Sequence, residues 1–372
     1  MKVLHVYSGN LFGGVEAMLL ALARVPARDT GVDHEFALCF DERLASELRA
    51  LGRPVHLLGS VRLSRPATAL AGRQLLASVL RTRAIDRVVC HAPWSLALFG
   101  ATVRRASVPL VFWAHDVMTG RHFVERLARR VRPDLVICNS AFTERSRPAL
   151  FDGVASVVIH PPVTVQRPVR ERRHLRMSLD TPDQVVVIVQ ASRCEAWKGH
   201  TLLIDALTRL RELPGWVWWQ VGGAQRPSEQ AFLTSLRARA EHEGLAGRIR
   251  WLGQRPDVPT LLAASDIHCQ ANLRPEPFGI AFVEALAAGL PVVSADHGGA
   301  AEIVDATCGL LVPPGDPDAL ADGLHSLIVD AGRRKRLGQG GPARAKALCD
   351  PLTQVQRLSA ALHGLRPLEM AG

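Results

Sequence analysis

Aromatic residues are scarce, at 5% of 372 residues. They form no platform on which bases would stack, so the chain lacks the mark of a nucleic-acid binder. Paired cysteines are missing too. Cys39, Cys90, Cys138, Cys194, Cys269, Cys308 and Cys349 are scattered and contain no C-x-x-C pair. That argues against a disulfide framework and a structural zinc site, and buried free thiols are expected. No apolar run is long enough to cross a bilayer. The opening "MKVLHVYSGN" reads as a short strand, without the long apolar centre or small-residue cleavage site of a signal peptide. A cytoplasmic protein is expected. Acidic residues number 35 against 45 basic ones, for a net charge of +10. The excess favours anionic partners, and the few aromatics turn that toward phosphorylated small molecules or anionic lipid and away from nucleic acid.

What is present is a βαβ alternation. Hydrophobic residues make up 48% of the chain, and 372 residues suit two domains better than one core. Near-continuous apolar runs such as "KVLHVYS", "HEFALCF", "RVVCHA", "LVFWAHD", "DLVICNS" and "SVVIHPPV" alternate with helical patterns. Such runs fit a parallel sheet covered on both faces. The pattern breaks in "HPPVTVQRPVRERRHLRMSLDTPDQ" and resumes with "VVVIVQAS", "WVWWQVGG", "RIRWLGQ", "DIHCQANL", "PVVSAD" and "GLLVPPG". The expected fold is α/β: two doubly wound, Rossmann-like domains facing a deep interdomain cleft. They would span residues 1–165 and 166–350. A C-terminal helix, 351–372, is expected to pack back toward the first domain.

Polar groups gather where the second series of strands ends. In "RPEPFGIAFVEALAAGLPVV", Pro277 predicts a helix start, because proline prefers the first helical position. The free amides of Phe278, Gly279 and Ile280 would then form an anion or hydroxyl site. Glu284 would lie about 12 Å along the axis from Glu276. That is too far for a glycosidase dyad and close to the span of a sugar joined through a diphosphate to a ribose. Two ribose hydroxyls would satisfy a buried Glu284; an arginine partner or solvent would do so as well. Arg193 and Lys198 sit on the loop after a strand, where they would hold phosphates or else be ordinary solvated cations. Gly222, Gly298 and Gly299 follow other strands, as turns or as close ligand contacts. Asp316 and Asp318 are the one Asp-x-Asp string. They precede a helical pattern, so capping is expected rather than a metal site.

These residues resemble the retaining glycosyltransferases of the GT-B fold called group 1, family 4-like. The resemblance rests on Glu276 and Glu284, separated by seven residues, within "EPFGIAFVEALAAGLPVV". "SRCEAWKG" precedes them, and "GGAAEIV" and "GLLVPPGDPDAL" follow. It is dense over residues 187–325 and thinner before, where "GGVEAML", His115 in "WAHD" and Ser140 in "CNS" carry it. It implies transfer of a sugar from a nucleoside-diphosphate sugar, with retention, no cofactor and no metal. It further implies that Arg193 and Lys198 hold the diphosphate and Glu284 the ribose. Glu276 with the amides of Phe278 and Gly279 would grip the sugar, Gly13 and Gly14 would form a loop under the phosphates, and His115 would lie near the reacting centre. The chain has "AS" where the family often has glycine before the arginine. The acceptor would be a glycan, a lipid-linked sugar or a small molecule.

A nucleotide-sugar epimerase or isomerase on the same frame is the alternative expectation. A dinucleotide oxidoreductase is weak, because "GNLFGG" is not G-x-G-x-x-G. A degenerate binding protein would not need Glu276, Arg193 and Lys198 together. His5, His91 and His160 are expected in core or hydrogen-bonding roles. Residues 121–132, "RHFVERLARRVR", read as a basic amphipathic helix. That helix either packs on the sheet or touches an anionic membrane at its inner face.

Overall fold

The computed structural model describes residues 1–10, 12–62, 64–164 and 171–365. The chain divides into two compact units, Met1–Thr164 with Cys349–Gly372, and Val165–Leu348. The expected boundary at 165/166 and the last part of the expected terminal helix, 366–372, lie outside the described residues.

The first unit holds β1 (Lys2–Tyr7), β2 (Asp33–Leu38), β3 (Val55–Leu57), β4 (Arg87–His91), β5 (Leu110–Ala114), β6 (Leu135–Cys138) and β7 (Ser156–Val158). They form one sheet in the order β3-β2-β1-β4-β5-β6-β7, with every neighbouring pair parallel. The second unit holds β8 (Val186–Ala191), β9 (Trp216–Val221), β10 (Ile249–Gly253), β11 (Ile267–Gln270), β12 (Val292–Ala295) and β13 (Gly309–Val312). Their order is β10-β9-β8-β11-β12-β13, again all parallel. Each apolar run picked out in the sequence is a strand. The one addition is β3, a partly exposed edge strand of three residues, too short and too polar to stand out.

In each sheet the winding reverses once, between β1 and β4 and between β8 and β11. Ligands of doubly wound sheets bind at the carboxyl ends of the strands at such a reversal. The loops after these four strands are therefore where polar residues carry most meaning.

Helix Pro351–His363 belongs to the first unit. Asp350 caps it by accepting from the Thr353 amide at 2.9 Å. Ser359 Oγ donates to the Thr30 carbonyl at 2.8 Å. The Arg87 guanidinium donates to the carbonyls of Leu362 and Leu365 at 3.2 and 2.6 Å. All seven cysteines are buried and unpaired. Trp216, Trp218 and Trp219 are buried as core residues, the first and last with their indole N–H groups bonded to Leu210 O and Thr181 Oγ1.

The basic segment departs from expectation. Its helix covers only Phe123–Ala128. The Glu125 carboxylate turns back to accept from the amides of Thr119 and His122 and from Thr119 Oγ1, which fixes the helix start. Ala128 and Val131 reach the core, whereas Phe123 is 51% exposed. Phe123 and Val131, which a continuous amphipathic helix would place on one face, therefore do not share one packing face.

Arg176 is fully buried in the second unit. It donates to the carbonyls of Ala264, Asp183 and Val185 and to the Asp266 carboxylate. Asp266 in turn accepts from the Val187 amide at 2.7 Å and also pairs with Arg172 at 2.6 Å, so two arginines on one carboxylate tie helix Arg172–Ser178 to the heads of β8 and β11. Without Arg176 the Asp266 carboxylate keeps Arg172, but the buried carbonyls of Ala264, Asp183 and Val185 lose their charged donor. Arg176→Met is expected to destabilise the second unit by about 3 kcal/mol, read from urea unfolding followed by the fluorescence of its buried tryptophans.

Candidate functional site

Arg193 and Lys198 lie on the loop between β8 and helix His200–Arg209. Gln190, on β8, donates to the Lys198 carbonyl at 2.9 Å. Gln220, opposite it on β9, donates to the Ser192 carbonyl at 3.0 Å. The loop after β11 is stitched to the same loop: the Leu273 amide donates to the Trp197 carbonyl at 2.8 Å. β8 and β11 flank the reversal, so their loops meet where ligands of this fold bind.

The meeting is direct. Lys198 Nζ stands 2.7 Å from Glu276 Oε1 and 4.0 Å above the Trp197 ring. The other carboxylate oxygen of Glu276 accepts from Gln270 Nε2 at 3.0 Å and Asn272 Nδ2 at 2.7 Å. Gln270 and Asn272 went unnoticed in the sequence, as did Gln190 and Gln220. The signal for the three glutamines was an amide within or closing an otherwise apolar strand, and Asn272 follows just past β11. All four are buried, and the side-chain oxygens of Gln190, Gln220 and Gln270 have no partner among the described residues.

Arg193 is held by two carboxylates, Glu195 at 2.9 Å and Glu229 at 3.0 Å. Glu229 is buried and also accepts from the Gln225 amide. Neither partner was foreseen. A guanidinium carries five donors in a fixed fork, so two acceptors do not exhaust it.

The helix at the motif starts later than the proline suggested. It runs Ile280–Ala287, with Gly279 as its N-cap at φ +108°. That dihedral lies outside the helical region and open to glycine, so it turns the chain and leaves Pro277 and Phe278 ahead of the helix. Glu276 and Glu284 are accordingly not on one helix, and the axial spacing of about 12 Å does not apply. The amides of Gly279 and Ile280 make no hydrogen bond among the described residues. The Phe278 side chain is buried. The Gly299 amide donates to the Glu276 carbonyl at 2.8 Å. A β-carbon at Gly298, where φ is +64°, would stand 2.5 Å from the same oxygen. This glycine is what lets the loop after β12 lie against Glu276. Gly222 follows β9 and donates to the Gly253 carbonyl at 2.7 Å.

Glu284 lies four residues after Ile280 on the same helix and is partly buried. No donor among the described residues bonds its carboxylate, and burial pushes its carboxyl up to about 7.

In the first unit, Gly13 caps helix Gly14–Arg24 and donates its amide to Glu16 Oε2 at 2.9 Å. Both glycines are exposed at the loop after β1. His115 lies just past β5, with Nε2 bonded to His91 Nδ1 at 2.8 Å. Burial lowers its pKa to about 3, which keeps it neutral. His5 and His91 are hydrogen-bonded core residues, as expected. Ser140 caps helix Ala141–Arg145. Asp316 caps helix Pro317–Val329 by accepting from the amides of Asp318 and Ala319, and Asp318 pairs with Arg209.

The family model for glycosyl transferases group 1 matches residues 171–344, and that for glycosyltransferase family 4 matches residues 12–167. A GDP-mannose-dependent alpha-(1-6)-phosphatidylinositol monomannoside mannosyltransferase of Mycolicibacterium smegmatis is 30% identical over 89% of this chain and 88% of its own. The chain belongs to this family of glycosyltransferases. A lipopolysaccharide core biosynthesis glycosyltransferase of Rhizobium meliloti is 33% identical over 45% of this chain and 46% of its own length. The crystal structure of Anabaena HepE in complex with UDP-glucose has a TM-score of 0.85 at 29% identity, over 98% of this chain and 100% of that one. The fold is the two-domain GT-B fold. These matches support glycosyl transfer and lend no support to the epimerase or isomerase alternative. Among the described residues no helix is long and apolar enough to cross a membrane.

The raised carboxyl of Glu284 has a consequence for stability. Between the ordinary carboxylate value of about 4.5 and about 7, the folded chain holds a proton that the unfolded chain has released. Stability from this group is therefore present below about 4.5 and is lost as pH rises through 7. Glu284→Gln is expected to raise the midpoint of thermal unfolding at pH 8 and to leave it nearly unchanged at pH 4, as measured by calorimetry.

Proposed function

We propose that this protein transfers a sugar from a nucleoside-diphosphate sugar to a glycan or lipid-linked acceptor, with retention at the anomeric carbon and without a metal. The observation that carries the reading is the 2.7 Å contact between Lys198 and Glu276. It sets a cation for phosphate beside a carboxylate for sugar hydroxyls, at the reversal of the second sheet. The relatives support it: HepE is bound to UDP-glucose, and the mycobacterial enzyme is GDP-mannose-dependent.

The chemistry follows from charge. When the nucleoside diphosphate leaves, negative charge grows on its outer phosphate. Lys198, Arg193 and the amides of Gly279 and Ile280 are fixed donors for that charge, and fixed donors need no reorganisation as the bond breaks. Glu276, already oriented by Gln270 and Asn272, accepts from hydroxyls of the sugar. Glu284, with no protein donor on its carboxylate, accepts from the two ribose hydroxyls in its ionised form. Phe278 fixes the loop, and Gly222, Gly298 and Gly299 let main chain approach the ligand. In the first unit, Gly13 and Gly14 lie at a helix N-terminus suited to phosphate, and His115 offers a ring nitrogen to the sugar. Leaving-group charge is met by side chains and amides, so no metal is required. The enzyme works in the cytoplasm.

Calorimetric titration with UDP, GDP, ADP and dTDP is expected to give one clear preference, which names the donor. Transfer with that donor is expected to survive EDTA and to give a product with the donor's anomeric configuration by NMR. Lys198→Ala is expected to lose about a hundredfold in kcat while the nucleotide still binds. Full activity in that variant, or loss to EDTA with rescue by manganese, would overturn the mechanism.

Exposed Phe123, with exposed Arg121, Arg126, Arg129 and Arg130 around it, is proposed as the contact with anionic lipid that brings the enzyme to a membrane-bound acceptor. Flotation is expected to recover the protein with vesicles containing anionic lipid and not with neutral ones. Equal recovery with both would remove the proposal.

A further inference from the structure

Four histidines of the first unit form one hydrogen-bonded row across four adjacent strands. His34 Nδ1, on β2, meets His5 Nε2, on β1, at 2.9 Å. His5 Nδ1 meets His91 Nε2, on β4, at 2.9 Å. His91 Nδ1 meets His115 Nε2, just past β5, at 2.8 Å. Register explains the row. His5 lies opposite Phe36 and Val89, and His91 lies opposite Trp113. Each histidine is thus two residues farther along than its predecessor, which keeps all four on one face of the sheet. The row begins near the amino end of β2 and ends at the carboxyl edge, where His115 is only partly buried. Phe36 stacks on His5, and Trp113 stacks on both His91 and His115. Tyr7 meets His91 edge-on.

A neutral imidazole has one N–H and one lone pair. Burial lowers the pKa of all four rings, helped at His5 and His91 by neighbouring histidines and at His34 by Arg53. No carboxylate bonds to any of them among the described residues. The charged groups nearby are Arg53, acting on His34, and Glu16, which bonds the Tyr7 hydroxyl. In a row of neutral rings, one choice of direction sets every tautomer. If each ring donates from Nδ1, the far end of the row is a lone pair on His34 Nε2. If each donates from Nε2, that end is an N–H. His34 Nε2 is buried without a partner among the described residues. Orphaned buried N–H groups are the rarer kind, and the Arg53 cation further disfavours the positive end of an N–H there. His115 Nδ1, at the opposite end, makes no hydrogen bond among the described residues.

We propose that His34, His5 and His91 are positioning residues that hold His115 as a neutral ring with its proton on Nδ1. His115 then presents a hydrogen-bond donor, and not a base, to an oxygen of the bound sugar. The identity of that oxygen rests on the transferase reading; the tautomer is a property of the free protein. Histidine-labelled, ligand-free full-length protein, examined by two-bond nitrogen–proton NMR, is expected to show all four rings neutral at pH 7 with the proton on Nδ1. His34→Asp supplies an acceptor to His5 Nε2 and is expected to invert the row. The His115 pattern would switch to the proton on Nε2, and kcat/KM for transfer would fall about tenfold, as for one lost hydrogen bond. His34→Asn, which keeps an N–H where His34 Nδ1 stands, is expected to restore both. A wild-type His115 with its proton on Nε2, or charged at pH 7, would overturn the inference, and that spectrum decides even if the aspartate variant fails to fold. Unchanged His115 signals in a folded His34→Asp would overturn it as well. The expected spectrum without any transfer activity would instead refute the transferase reading and leave the row standing.

Discussion

A parallel sheet covered by helices on both faces has few positions where a polar side chain can be hydrogen-bonded. The strand interior is occupied by the backbone ladder and by apolar packing, and unpaired polar groups there are costly. Strand ends are different, because loops bring carbonyls and amides that side chains can reach. In the second unit this constraint places Gln190, Gln220, Gln270 and Asn272 at or just beyond strand ends. There their amide groups fix the Lys198 carbonyl, the Ser192 carbonyl and the Glu276 carboxylate. Lys198 and Glu276 are positioned by the same layer of buried amides that closes the sheet.

The cations of the site are held by carboxylates. Lys198 rests on Glu276, and Arg193 rests on Glu195 and Glu229. Such pairing fixes long side chains before a ligand arrives, which reduces the ordering needed on binding. It also lowers the net positive charge of the site, so in the proposed reaction a diphosphate would compete with carboxylates rather than meet bare cations. For Lys198 that competition would have a natural resolution: a sugar hydroxyl would take over the acceptor on Glu276 as the phosphate takes over the ammonium. Glu229 is buried and has no such exchange open to it. Arg193 is therefore expected to keep that partner and to use its remaining donors.

The strands were legible because buried parallel strands are continuous apolar runs, and "VVVIVQAS" or "LVFWAHD" can hardly be read otherwise. β3 was not, because an edge strand of three partly exposed residues carries no such pattern. The acidic and basic residues of the motif were legible as residues but not as a constellation. Arg193 and Glu229 are 36 positions apart, and nothing local announces their contact. The helix start was misread because proline at Pro277 was weighed above glycine at Gly279. The positive φ there, made tolerable by the absent side chain, decided the matter. The basic segment was read by period alone, and a single carboxylate, Glu125, folded its first turn into a loop.

The histidine row shows the limit of reading one strand at a time. Each member is ordinary in its own run: "HVY", "HEF", "CHA" and "AHD" give no hint of the others. Their relation exists only in the register, where each strand shifts its histidine by two residues against its neighbour. A shift of one would have sent a ring to the opposite face and broken the row. The row is also how this sheet carries polar atoms through its interior, since each ring satisfies the next and only the ends remain. At one end the leftover atom is buried on His34, and at the other it belongs to His115 at the carboxyl edge. The His34 nitrogen is closed off, whereas the His115 nitrogen lies at the carboxyl edge, where a ligand of the sheet would reach it.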